Sequence, residues 1–160
     1  MIRPCVSLIE FKDQLQMAYP DFAQLPQDPK FDTISLKSLI DSKLRKPHVS
    51  KDGRFQLEYT VATPPKHMVL HFNRFADSSH LEKTRNKAIV EYQPEKFEFF
   101  PGYSYSLKYN LTYDNDSFKS QFAIGDNKFV ELDGIKLKEK DPNLLFLGES
   151  YMQLWELLEN

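Results

Sequence analysis

Pro64-Pro65-Lys66-His67-Met68-Val69-Leu70-His71-Phe72-Asn73-Arg74-Phe75 is the stretch on which the fold turns. The proline pair cannot donate to a ladder, so an upstream strand ends there. From His67 onward, Met68, Leu70 and Phe72 fall on one side of an extended chain, and His67, Val69, His71 and Asn73 on the other. A period of two with one apolar side predicts a strand over 67–75.

The same period runs outward from it. Phe55, Leu57, Tyr59 and Val61 alternate before the proline pair. Asp52-Gly53 and Pro47 separate them from a segment of period 3.6, where Leu36, Leu39, Ile40 and Leu44 share one face. This predicts the one clear helix, Thr33 to Leu44, with Thr33 or Ser35 as its cap. Phe22 to Leu25 reads as a short strand ended by Pro26. Downstream, Ala88–Tyr92, Tyr103–Tyr113, Phe118–Ile124 and Phe129–Leu132 read as strands. Asp114-Asn115-Asp116 and Gly125-Asp126-Asn127 separate them with turn residues, as an antiparallel meander requires. Ser150 to Leu158 fits both periods: Met152, Leu154 and Glu156 alternate, while Tyr151, Leu154, Trp155 and Leu158 have helical spacing. Its aromatic content favours a strand. The expected fold is a single α+β domain over 1–160, dominated by an antiparallel sheet.

A chain of 160 residues with 41% hydrophobic content can bury roughly 70% of its unfolded surface, so a real core is expected. The net charge of −2 argues against holding nucleic acid by phosphate neutralisation, and no direct nucleic-acid contact is indicated. The one basic run, Lys43 to Lys51, is broken by Pro47 and His48 and reads as a solvated loop. A single cysteine, Cys5, excludes an internal disulfide and fits a reducing compartment. Met1 to Phe11 lacks the apolar run of a signal peptide, and no stretch reaches the ~20 apolar residues of a membrane span. The sequons at Asn110 and Asn115 read as chance matches.

Residues with chemistry are few. Cys5 follows Arg3-Pro4 with no helix start or base beside it, and reads as a packing residue rather than a nucleophile. His67 and His71 share a face on a helix or a strand, but no thiolate or carboxylate cluster completes a zinc site. His48 and His80 stand in polar loops. Asp133-Gly134 ends a strand, where an Asp either orients a catalytic His or makes a turn. No phosphate loop, G-x-S-x-G or H-E-x-x-H occurs, and no cofactor is expected.

The segment Pro64 to Phe75 resembles a palm segment of the ubiquitin-specific proteases: a Pro, an apolar strand, then Arg-Phe. Glu82 to Val90 resembles the strand that follows there, and Tyr105 to Asn110 the strand before the family's His box. Phe129-Val130-Glu131-Leu132-Asp133 is similar to its Trp-Tyr-x-Phe-Asp strand. The order of elements before the palm matches too, from Phe22-Ala23-Gln24-Leu25-Pro26 through the Leu36 helix. Within the family, Arg54-Phe55-Gln56-Leu57 and Gly148-Glu149-Ser150-Tyr151-Met152-Gln153-Leu154-Trp155 resemble the inactive deubiquitinase-like branch of the spliceosomal tri-snRNP. The resemblance covers most of the chain. It implies the palm and fingers part, the C-terminal half, of a papain-like fold.

It also implies a pseudoenzyme. Active members carry Gly-His-Tyr where this chain has Asp116-Ser117-Phe118, so Ser117 stands at the general-base position. A serine hydroxyl does not take up a thiol proton near neutral pH as imidazole does. Asp133 aligns with the third triad member, and Cys5 does not match the family's Asn-x-Cys nucleophile box. The family's N-terminal half and zinc-binding cysteine pairs have no counterpart in this sequence. The function implied is a non-catalytic adaptor in pre-mRNA splicing, in the nucleus, with tri-snRNP proteins as partners. The alternatives are a fragment of a ubiquitin carboxyl-terminal hydrolase and a free ubiquitin-binding module. Tyr103, Tyr105 and Tyr109 are the aromatics expected to face a partner, against the alternative of half-buried sheet residues.

Overall fold

Met68, Leu70 and Phe72 are buried and His67, Val69 and His71 are half-buried, so the alternation read from the sequence is the alternation of the strand, which spans His67–Phe72 (β5). The computed structural model describes residues 6–11, 33–45, 48–49, 53–54, 56–57, 61–74, 86–114 and 117–159. The strand expected at 22–25, Cys5, His80 and residues 55, 59, 75–85, 115 and 116 lie outside the described residues.

Around β5 stands a largely antiparallel sheet. Its other strands are β1 (Val6–Phe11), β7 (Phe97–Phe100), β8 (Tyr103–Asp114), β9 (Ser117–Gly125), β10 (Lys128–Asp133), β11 (Lys136–Lys140) and β12 (Ser150–Leu157). The order is β1-β5-β12-β8-β9-β10-β11, with β7 paired to β8. One contact is parallel: β1 lies along β5 with Val6 opposite His67 and Phe11 opposite Phe72. Smaller pairs join β2 (Thr33–Ser35) to β6 (Ile89–Glu91) and β3 (His48–Val49) to β4 (Gln56–Leu57). β8 carries β12 along one side and β7, then β9, along the other. Between these two, the Leu107 N–H donates to the Pro94 carbonyl at 2.7 Å.

The helix is shorter than its apolar spacing predicts. Residues 33–35 form β2, the α-helix (α1) spans Leu36–Ile40, and a π-helical turn covers Asp41–Arg45. β-branched Thr33 and Ile34 take the extended form because β6 is there to pair with them, Thr33 opposite Ile89. Ser35, not Thr33, is the cap: its Oγ accepts the Ser38 N–H at 3.1 Å. Leu36, Leu39 and Ile40 are buried as the spacing requires. The basic run is likewise not one loop. Lys43 belongs to the π-helical turn and His48 to β3.

Two bulges set the faces of the central pair. Leu154 faces Tyr109 but Trp155 faces Leu107, which leaves Lys108 as an extra residue of β8. Ser150 faces Thr112 but Met152 faces Leu111, which leaves Tyr151 as an extra residue of β12. An extra residue reverses the inside-outside parity of a strand. Tyr105 and Leu107 therefore share the buried face with Asn110 and Thr112, and Ser150, Gln153 and Trp155 share it too. Trp155, fully buried, meets Phe99, Phe97 and Tyr92 at ring separations of 5.3, 5.8 and 5.9 Å. Gly125-Asp126-Asn127-Lys128 closes the β9–β10 hairpin with positive φ at both central residues, 44° and 55°, the pattern of a type I′ turn. A 3₁₀ helix, Pro142–Leu147, capped by Asp141, brings Leu145 into the core. Among the described residues no helix is long and apolar enough to cross a membrane.

Candidate functional site

Ser117 is the first residue of β9, paired with Asp114, so that residues 115 and 116 alone separate β8 from β9. Asp133 is the last residue of β10, paired with Lys136 of β11. Gln121 faces Glu131 and Ser120 faces Leu132, which sets Asp133 beside Lys119, two positions along β9 from Ser117. Residues two apart share a sheet face, so Ser117, Lys119 and Gln121 lie on the same face as Glu131 and Asp133.

The group that meets Asp133 is a lysine. Lys119 Nζ lies 3.7 Å from Asp133 Oδ2. An ammonium has three donors and no lone pair to accept a proton, so Lys119 supplies nothing that works as an imidazole base does. His67 and His71 share a face, as their spacing predicts, but it is the opposite one. His67 Nε2 lies 3.5 Å from Glu156 Oε1, and His71 packs edge-on against Tyr151 at 5.0 Å. Among the described residues no group of three or more His, Cys, Asp or Glu could hold a metal.

The face that carries Ser117 and Asp133 also carries a buried polar row that sequence reading missed. Gln153, Asn110, Gln121 and Glu131 are directly paired neighbours on β12, β8, β9 and β10. Asn110 Nδ2 donates to the Tyr92 hydroxyl at 3.0 Å and to Gln121 Oε1 at 2.8 Å. Gln121 Nε2 donates to Glu131 Oε2 at 2.8 Å, and Lys140 Nζ lies 3.3 Å from the same oxygen. At the other end, Trp155 Nε1 donates to Gln153 Oε1 and Gln153 Nε2 to Ser150 Oγ. Burial pushes the Glu131 carboxyl up, but the Gln121 hydrogen bond and the charges of Lys140 and Lys119 outweigh it and hold its pKa below the usual range. Burial raises the Tyr92 hydroxyl well above the usual phenol range, against the hydrogen bonds of Ser150 and Gln153. A cleft of ≈ 460 Å³ opens over this face, lined by Lys119, Gln121, Glu131 and Lys140 from the sheet and by Leu144 and Leu147 of the 3₁₀ helix.

The three tyrosines separate. Tyr103 is 39% exposed. Tyr109 is half-buried, its hydroxyl 2.9 Å from Ser120 Oγ. Tyr105 is fully buried, packs on Phe99 at 5.2 Å and donates to the Pro65 carbonyl at 2.9 Å. Its expected exposure is overturned because the Lys108 bulge puts it on the core side, whereas Tyr109, beyond the bulge, points to the other face.

No protein-family model matches the chain. Against curated proteins it is 29% identical over 163 residues to pre-mRNA-splicing factor SAD1 of Saccharomyces cerevisiae, a match over 91% of the chain and 36% of that protein. The chain is a homologue of a yeast splicing factor. The crystal structure of an essential yeast splicing factor superposes on it with a TM-score of 0.71 at 23% identity, covering 96% of this chain and 36% of that one. The Ubp8-Sgf11-Sgf73-Sus1 SAGA DUB module matches with a TM-score of 0.65 at 13% identity, over 96% of this chain and 33% of that one. The chain thus has the ubiquitin-specific-protease fold over the part it covers, mostly antiparallel sheet with one α-helix among the described residues, as its sequence predicts. It spans about a third of the length of the proteins it matches.

Proposed function

We propose that this chain works in pre-mRNA splicing as a non-catalytic, ubiquitin-specific-protease-like adaptor. Its partners are proteins of the spliceosomal tri-snRNP and its place of action is the nucleus. The observation that carries this reading is the similarity to SAD1 over 91% of the chain. The local chemistry agrees with it: Ser117 takes the place of a general base, and the neighbouring Asp133 carboxylate faces the Lys119 ammonium. A site so arranged orients no imidazole and activates no thiol. The sheet instead supplies rigid aromatic surface, and Tyr103, the most exposed of the three tyrosines, is the partner contact on this reading, with half-buried Tyr109 six residues further along β8.

Gentle affinity purification from the protein's own cells tests this, with identification of the bound proteins and small RNAs. Recovery of tri-snRNP RNAs with splicing proteins is expected. Recovery of ubiquitin conjugates without spliceosomal components would overturn the adaptor reading in favour of a hydrolase fragment or a ubiquitin-binding module.

A further inference from the structure

β11 ends the sheet with the sequence Lys136-Leu137-Lys138-Glu139-Lys140. Its inner edge pairs with β10, from Asp133 opposite Lys136 to Phe129 opposite Lys140. Among the described residues no strand pairs with its outer edge. Alternation places the three lysines on the face of Asp133 and Glu131, and Leu137 on the other face opposite Leu132. Lys140 is held by Glu131, so the outermost cations are Lys136 and Lys138. Leu137 is 61% exposed, Leu132 38%, and Ile135 at the adjoining turn 98%.

Lysines commonly guard an edge strand against association. A guard of that kind has no use for an exposed leucine on its second face. This edge is cationic on one face and on the other carries exposed Leu137, with Glu139 two positions along. Gly134-Ile135 is a two-residue loop with Gly134 at φ 60°, so Asp133 and Lys136 form its hydrogen-bonded closing pair. Pairs then alternate, and the backbone groups of Leu137 and Glu139 point outward.

Charge decides what fits. A second copy pairing antiparallel about Lys138 would set Lys138 against Lys138 and Lys136 against Lys140, and like charges directly opposite are destabilising. We propose that the β11 edge accepts an extended segment of a partner protein in which acidic residues alternate with apolar ones, added to the sheet as a further strand. The acidic side chains meet Lys136 and Lys138, the apolar ones lie along Leu137 and Leu132, and the main chain bonds to Leu137 and Glu139. The inference does not depend on the splicing assignment, since it concerns the chemistry of the segment and not the identity of the partner.

The probe is a short synthetic peptide alternating Glu and Val, titrated by fluorescence anisotropy against the full chain at low salt. Two control peptides carry Lys for Glu, or N-methyl groups on alternate amides. Saturable binding is expected for the first peptide alone, with new hydrogen-exchange protection at the Leu137 and Glu139 amides. Lys136→Glu with Lys138→Glu should weaken it about tenfold. Glu139→Pro, which removes an outward donor at an edge position, should weaken it with the folded chain retained. No binding by the first peptide, or equal binding by either control, overturns the proposal and leaves β11 a guarded edge. Self-association of the chain that Lys138→Glu abolishes overturns it in favour of a second copy.

Discussion

Arg74 Nε donates to the carbonyl oxygen of Ser150 at 2.6 Å, across 76 positions of sequence. Its Nη1 donates to the carbonyls of Asn86 and Ala88 at 3.0 and 2.6 Å. One buried guanidinium thereby ties the end of β5 to the start of β12 and to the approach to β6. The Arg-Phe and Glu-Ser-Tyr segments that stand out in the sequence are two ends of one contact.

Removing that fork should be costly. Arg74→Met leaves three carbonyls without their charged donor and is expected to destabilise the chain by about 3 kcal/mol. Arg74→Lys should lose about 2 kcal/mol, because a single ammonium cannot span the three acceptors. Urea unfolding followed by the fluorescence of Trp155, the chain's one tryptophan and fully buried, measures both. A neutral Arg74→Lys would show that the fork geometry is unimportant.

Gly148 is held by space rather than by conformation. Its φ is −76°, but a Cβ built on it would come within 2.9 Å of Thr112 Cγ2. Gly148→Ala should destabilise by about 1–2 kcal/mol. Thr112→Ser removes the opposing methyl, so the double variant should recover most of the loss relative to Thr112→Ser alone. Strict additivity in thermal melts would refute the contact.

Glu131 predicts the direction of an acid effect. Its folded pKa is lowered, so its stabilisation is fully present above the unfolded value of about 4.3 and is lost as pH falls through the folded pKa. The stability difference between the parent chain and Glu131→Gln should be constant at neutral pH and shrink below about pH 4.3. Lys140→Met should move that loss to higher pH by removing one of the charges that lower the pKa. Denaturant titrations at a series of pH values check both signs.

Ser117→His should not produce a hydrolase. The new imidazole would enter a face where Lys119 already holds Asp133, and the chain's one thiol, Cys5, matches no nucleophile box. No cleavage of a ubiquitin C-terminal amide is expected in a fluorogenic assay. Measurable turnover would show that Ser117 is misaligned with the family's base.

The period of two was legible wherever one face of a strand is buried and the ladder is regular, as at Met68, Leu70 and Phe72. Ser150 to Leu157 looked both helical and extended for a physical reason. The Tyr151 bulge spaces the buried residues Ser150, Gln153 and Trp155 by three and then two. Tyr105 was misplaced for the same cause, since a bulge leaves no mark in composition. β11 was invisible because an edge strand with exposed residues on both faces carries no apolar alternation. β7, Phe-Glu-Phe-Phe, is too short and too uniformly aromatic to show a period. β1 is defined by a parallel partner some sixty positions away, which no local pattern encodes. At the candidate site, aligned motifs pointed to Ser117 and Asp133. They could not disclose the Lys119 contact or the Gln153-Asn110-Gln121-Glu131 row, which exist only in the register of neighbouring strands.

The sheet order has a consequence for folding. β12 lies between β5 and β8, so among the described strands it joins the β1–β5 pair to the β8–β11 meander. Until residues 150–157 pair, no described strand joins β5 to β8. Each has an open edge, and the pocket for Trp155 is unfilled. Closure waits on this segment, and loop-closure entropy makes such long-range pairing slow. Strand edges left unpaired until then are the surfaces on which an incompletely folded chain associates wrongly.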